Sequence, residues 1–146
     1  MRSWRPCNGI VSQHPTMSHQ RISIAEDRLL TSKEAQLAGW LLAHGVLEAV
    51  SFEPQLTSAR VVARCGCGCA SIDFAVGGRR GRASEGMAVL SDYQWRDSSG
   101  NLFGVFVFAY GNTLGGLEVW SIDGQATPTQ LPEIEQLSPL GIDDAG

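Results

Sequence analysis

Three of the four cysteines of the chain fall within five residues, at Cys65, Cys67 and Cys69. Single glycines separate them, so the backbone can curl and turn the three sulfurs toward one point. Thiolates bind soft cations such as zinc, and a converging set predicts a metal site. Structural zinc sites usually pair Cys-x₂₋₄-Cys with a second, distant pair, which this sequence lacks. A fourth ligand would therefore come from His44, from Asp73 or from a cysteine of another subunit.

The same cysteines have two other interpretations. Cysteine is a small hydrophobic residue that is readily buried at a tight turn, which would make the cluster purely structural. Arg60 and Arg64 precede it, and a thiol near a positive charge ionises and oxidises more easily, which indicates a redox sensor. A cysteine nucleophile needs an oriented histidine base, and only His44 lies in the predicted globular part. We therefore expect no catalytic residues and favour a protein that is not an enzyme.

A basic segment follows the cluster, with Arg79, Arg80 and Arg82 spaced by glycines over residues 77–82. It matches neither phosphate-loop pattern, and its simplest interpretation is a solvated, flexible loop. Residues 97–146, by contrast, contain seven acidic residues and no Lys or Arg. Since the net charge is −4, the chain does not suit binding to nucleic acid. We expect the arginines to contact an acidic protein surface, either on another protein or on a second copy of this chain.

A capping box at Thr31 and Glu34 predicts the start of a helix. Apolar residues then recur at three- and four-residue steps until Gly45, so the helix should run over about 32–44. Residues 46–52 predict a short second helix that Pro54 would end.

From residue 59 onward the apolar period changes from that of a helix to that of a strand. We expect a five-stranded antiparallel meander over about 59–65, 72–76, 87–95, 102–110 and 114–122. Residues 102–110 are apolar on both faces and should be covered on both sides. The cysteines would occupy the first hairpin connection, where Gly66 and Gly68 would supply positive φ angles. The fold class is therefore α+β, with a proline-rich C-terminal tail packed across a sheet face.

The 146 residues, 43% of them hydrophobic, suit one domain. We expect residues 1–24 to be a poorly ordered arm, with Met17 as an alternative start, and residues 25–146 to be the globular domain. No apolar run is long enough to cross a membrane, and no secretory signal is visible. The sequence therefore predicts a cytoplasmic protein with reduced thiols.

Residues 30–140 resemble a family of uncharacterised short bacterial single-domain proteins. The resemblance rests on the helix of residues 34–45, the segment around the cysteines, and the Gly-Leu-Glu-Val-Trp strand that starts at Gly116. It implies a bacterial single-domain protein and brings no activity with it. The sequence thus favours a non-enzymatic interaction or accessory protein without a cofactor. A zinc-type thiolate protein is the first alternative and a cysteine-based redox sensor the second.

Overall fold

The computed structural model describes residues 22–141, which form one antiparallel sheet with helices packed on it. The sheet has seven strands in the order β1-β2-β3-β6-β5-β4-β7. Their bounds are Ser23–Leu29 (β1), Ala59–Cys65 (β2), Ile72–Val76 (β3), Met87–Arg96 (β4), Leu102–Tyr110 (β5), Thr113–Ser121 (β6) and Ser138–Pro139 (β7). The predicted α+β class is confirmed.

The single α-helix within residues 22–141, α1, runs over Ser32–Ala43, close to its predicted bounds. Its capping box is formed: the Glu34 N–H donates to Thr31 Oγ1 at 3.1 Å, and the Thr31 N–H donates to Glu34 Oε1 at 2.9 Å. Leu37, Leu41 and Leu42 are buried against the sheet. The helix therefore covers one face of the sheet along the apolar stripe seen in the sequence.

The second helix differs from its prediction in type and length. Leu47–Ser58 is a 3₁₀ helix that continues through Pro54. Proline cannot supply the N–H that an α-helix needs at this point, but side-chain hydroxyls supply other bonds to the backbone. Ser51 Oγ donates to the carbonyl of Glu48 at 2.7 Å, and Thr57 Oγ1 donates to that of Pro54 at 2.9 Å. These bonds lie on both sides of Pro54, and the segment does not end there.

The predicted five-stranded meander is wrong in strand number and in order. β2 and β3 form the predicted hairpin and β4, β5 and β6 form a meander, but the two units join through β3 and β6. Residues Leu114–Val119 of β6 are all buried. A simple meander would place this strand at an edge of the sheet and leave one row of its backbone N–H and C=O groups unpaired, whereas here it pairs with both β3 and β5. Burial of β5 on both faces is confirmed.

Strand β1 was not predicted, and it forms one edge of the sheet beside β2. It begins at Ser23, two residues inside the segment predicted to be an arm. Residues 1–21 of that segment, including Met17 and Cys7, lie outside the described residues. At the other end of the chain, Leu131, Ile134 and Leu137 pack against the main core, and β7 pairs with β4.

Candidate metal centre

The cysteine loop connects β2 to β3 and is fixed by backbone hydrogen bonds to three parts of the chain. Cys65 N–H donates to Ser71 O at 3.2 Å, which closes the hairpin. Gly66 N–H donates to Ile22 O at 2.7 Å, and Ala70 N–H donates to Pro128 O at 3.0 Å. The loop is therefore held from its own hairpin, from the residue before β1 and from the C-terminal segment.

The two glycines of the loop serve different purposes. Gly68 has a φ of +96°, a left-handed conformation that other L-residues rarely adopt. Gly66 does not have a positive φ, so that part of the prediction is wrong. A Cβ at Gly66 would lie 2.7 Å from Ile22 Cγ2 and 3.0 Å from Ile22 O. Glycine is needed there because another segment passes close to the backbone.

The loop brings the three sulfurs together. The Sγ atoms of Cys65, Cys67 and Cys69 all lie within 4.8 Å of one another. Sulfurs that share a tetrahedral zinc ion lie roughly 3.8 Å apart, given a Zn–S distance of about 2.3 Å. Cys65 Sγ and Cys67 Sγ are 2.7 Å apart, so this pair would separate by roughly 1 Å on such an ion. The cluster is thus near the dimensions of a thiolate site before any ion binds.

Backbone N–H groups donate to two of the sulfurs. The Cys67 N–H points at Cys65 Sγ and the Cys69 N–H at Cys67 Sγ, each at 3.4 Å. These two contacts hold the sulfurs close to the backbone of the loop. They repeat along the loop because each cysteine is followed two residues later by the next one.

The three cysteines differ in exposure. Cys65 and Cys69 are free thiols that are only 3% and 6% exposed, whereas Cys67 is exposed. Cys67 is disulfide-bonded, so the expectation that all the thiols are reduced is wrong for this residue. Burial raises the pKa of Cys69 to about 12, although a hydrogen bond with Ser71 opposes this rise. In the absence of a metal ion, the Cys69 thiol therefore keeps its proton at neutral pH.

The side chains proposed as a fourth ligand are engaged elsewhere. His44 Nδ1 lies 2.8 Å from the carbonyl oxygen of Trp40, and its ring stacks on the Trp40 ring at 4.0 Å. Asp73 Oδ2 accepts a hydrogen bond from Arg80 Nη2 at 3.0 Å. Within residues 22–141, no histidine or carboxylate belongs to the group of converging ligand atoms, which consists of the three sulfurs.

A cleft of about 350 Å³ opens beside Cys69. Arg28, Lys33 and Arg64 line it together with Glu34, Thr129 and Gln130. Each of the three cations is paired with a carboxylate, so the cleft is not an open anion site.

An ion-pair network that the sequence did not predict ties the wall of this cleft together. Arg28 donates to both oxygens of Glu34, at 2.9 and 3.0 Å, and to Glu26 at 2.8 Å. Arg64 donates to the other oxygen of Glu26 at 2.8 Å. The hydrogen bond from Arg28 lowers the pKa of Glu26, and the bond to Glu34 raises that of Arg28. The network joins β1, β2 and α1 next to the cysteine loop.

The basic segment proposed for partner binding is more ordered than its glycines suggested. Val76 and Arg79 form a β-bridge around Gly77 and Gly78, both of which have positive φ. The arginines are exposed, and Arg80 pairs with Asp73. The segment is therefore a tight turn that presents Arg79 and Arg82 without an ion pair inside residues 22–141.

The fold and the cluster define an α+β protein that carries three convergent cysteines on a hairpin. Comparison with protein-family models, with curated proteins and with solved structures finds no match. Within residues 22–141, no helix has the length and apolar character needed to cross a membrane.

Proposed function

We propose that this protein binds a soft metal ion of the zinc type through the thiolates of Cys65, Cys67 and Cys69. The observation that supports this most is the convergence of the three sulfurs within 4.8 Å on a loop fixed at several points. From the sequence alone we favoured an interaction protein and gave a zinc-type thiolate protein as the first alternative. We now prefer that alternative.

The structural interpretation of the cluster accounts for only two of the cysteines. Cys65 and Cys69 are buried, as small hydrophobic residues at a turn would be. Cys67 is exposed and disulfide-bonded, so its role is not hydrophobic packing, and it becomes a ligand only in the reduced protein. A shared ligand role accounts for all three.

The redox interpretation is weakened at Cys69. A sensor cysteine needs an accessible thiol with a lowered pKa. Cys69 is buried and its pKa is raised by that burial, which is the opposite combination. Arg64, one of the residues expected to lower a thiol pKa, instead pairs with Glu26. A redox role would therefore depend on the other two cysteines.

An interaction with an acidic partner remains a prediction. Of the arginines proposed for it, Arg80 is already paired with Asp73, while Arg79 and Arg82 are exposed. This surface is compatible with a metal site on the neighbouring hairpin, so the two functions do not exclude each other.

Zinc binding can be measured by competition against a chromophoric chelator, with the protein kept fully reduced throughout. Reduction matters because Cys67 is disulfide-bonded in the structure, and this bond removes one of the three ligands. We expect one zinc ion per chain, and protons released on binding because thiols must ionise to bind.

The matched variants separate the cluster from the rest of the chain. Replacing Cys65, Cys67 and Cys69 together by serine should abolish uptake, whereas Cys7→Ser should leave it intact. Uptake that survives in the triple variant, or its absence in the reduced parent protein, would contradict the proposal.

A further inference from the structure

We propose that the disulfide at Cys67 is a redox switch that controls metal binding at the cysteine cluster. While the disulfide is formed, the cluster offers two thiols and holds a metal ion weakly, and after reduction it offers three. The inference rests on the proposed metal binding and adds its regulation by thiol reductants and disulfide oxidants.

The cluster contains one oxidised sulfur and two reduced ones. Cys67 is disulfide-bonded, whereas Cys65 and Cys69 are free thiols. Zinc binds the thiolate form of cysteine, and a sulfur within a disulfide carries no such charge. The oxidised protein therefore lacks one of the three thiolates on which the proposed site depends.

The position of Cys67 Sγ means that reduction alone completes the site. Although this sulfur belongs to a disulfide, it lies 2.7 Å from Cys65 Sγ, and the three sulfurs of the cluster lie within 4.8 Å of one another. The backbone hydrogen bonds that fix the loop are made by Cys65, Gly66 and Ala70, so they do not depend on the disulfide. Breaking the disulfide therefore frees the third ligand at the place where the other two already lie.

Exposure directs the redox chemistry to Cys67. This residue is exposed even though it is disulfide-bonded, and exposed disulfides are the ones that are reduced more readily. Cys65 and Cys69 are 3% and 6% exposed, which shields them from oxidants. Burial also raises the pKa of Cys69 to about 12, so this thiol stays protonated and attacks the nearby disulfide slowly. Cys67 therefore changes its redox state while the buried thiols stay reduced.

Electrons and protons balance in both directions of the switch. A dithiol reductant gives two electrons to the disulfide and leaves as a disulfide itself, and its two protons pass to Cys67 and to the disulfide partner of Cys67. Cys67 then loses its proton when zinc binds. Oxidised glutathione, a disulfide oxidant, takes back the two electrons and leaves as two glutathione thiols. Their protons come from the partner thiol and from solvent, and the zinc ion is released with its charge unchanged.

The test compares zinc binding by the oxidised and the reduced parent protein. One sample is treated with oxidised glutathione and a second with dithiothreitol, and both are desalted under anaerobic conditions because free dithiol binds zinc. Zinc affinity is measured by competition against a chromophoric chelator, and the redox state by the number of free thiols. The reduced protein should bind zinc more tightly by about 100-fold or more, since it offers one more thiolate. Zinc added to the reduced protein should slow its oxidation by glutathione disulfide.

Two variants that each lack one sulfur of the cluster are the matched pair. Cys67→Ser cannot form the disulfide, so it should bind zinc as weakly as the oxidised parent, with and without prior reduction. Cys69→Ser keeps Cys67, so reduction should still strengthen its zinc binding. Circular dichroism of the metal-free parent should be the same in both redox states, because the backbone bonds of the loop do not depend on the disulfide.

The outcomes separate the switch from the proposed function. If the reduced parent stays folded and takes up no zinc, metal binding by the cluster is refuted. If the reduced parent binds zinc but the oxidised parent binds it equally well, or if Cys67→Ser keeps the parental dependence on reduction, the switch is refuted and zinc uptake stands. Unfolding on reduction would overturn the switch, because the disulfide would then serve the fold. A free-thiol number that neither reagent changes in the folded protein would overturn it as well.

Discussion

Replacing Gly68 by alanine tests whether the shape of the loop holds the sulfurs together. The residue has a φ of +96°, and a Cβ there would meet nothing within 4 Å. Steric collision therefore contributes nothing, and the cost is that of a left-handed backbone, about 1–2 kcal/mol for an L-residue.

This cost should appear in metal binding rather than in folding. Backbone hydrogen bonds fix the two ends of the loop, but the residues next to Gly68 have only N–H···S contacts of 3.4 Å, so an alanine there lets this middle part of the metal-free loop relax. Metal binding must then restore the original shape. A penalty of 1–2 kcal/mol corresponds to roughly a 5- to 30-fold weaker Kd.

Gly100→Ala is the matched control, because Gly100 also has a positive φ, of +85°, and open space around its Cβ position. It lies in the turn between β4 and β5, away from the cysteine hairpin. The assay is zinc competition for the Kd and urea denaturation of the metal-free protein for stability. Gly100→Ala should lower stability and leave the Kd unchanged. A Kd for Gly68→Ala equal to that of the parent would show that the shape of the loop at Gly68 does not hold the sulfurs in place for the metal ion.

Three further predictions concern stability. Phe106→Ala should cost about 3–5 kcal/mol in urea denaturation, since the Phe106 side chain is 1% exposed, and a parental midpoint would contradict this. The metal-free protein should lose stability as pH rises from about 9 toward 12. The pKa of Cys69 is 9.0 in the unfolded chain and about 12 in the folded protein, so the unfolded state loses its proton first and is favoured as the pH rises. Cys69→Ser should flatten this alkaline loss in urea midpoints measured at several pH values, and an unchanged slope would count against burial of the thiol. Arg28→Met should lower the urea midpoint more than Lys33→Met, because Arg28 pairs with two carboxylates whereas Lys33 pairs with a single, exposed carboxylate. Equal effects of the two substitutions would show that the ion-pair network contributes little to stability.

Features encoded by neighbouring residues could be predicted from the sequence. The capping box fixed the start of α1, because both of its hydrogen bonds join residues three apart. The β2–β3 hairpin followed from two alternating apolar runs separated by a glycine-rich connection. Convergence of Cys65, Cys67 and Cys69 was predictable for the same reason, as their spacing limits how far apart the sulfurs can be.

Features that depend on distant residues could not be predicted. β1 lacks apolar alternation and is held partly by charged pairs, Asp27 with Arg60 and Glu26 with Arg64, that only the folded chain brings together. The pairing of β3 with β6 depends on which strands need burial on both faces. The glycine at position 66 is explained by the approach of Ile22, which no local pattern reveals.

Metal binding by the three cysteines is tested most directly by the metal content of the protein purified under reducing conditions from metal-replete medium, measured by native mass spectrometry with elemental analysis. We expect one zinc-type ion per chain, lost on chelation and absent from the variant in which Cys65, Cys67 and Cys69 are all serine. Folded, fully reduced protein that contains no metal and takes none up would contradict it.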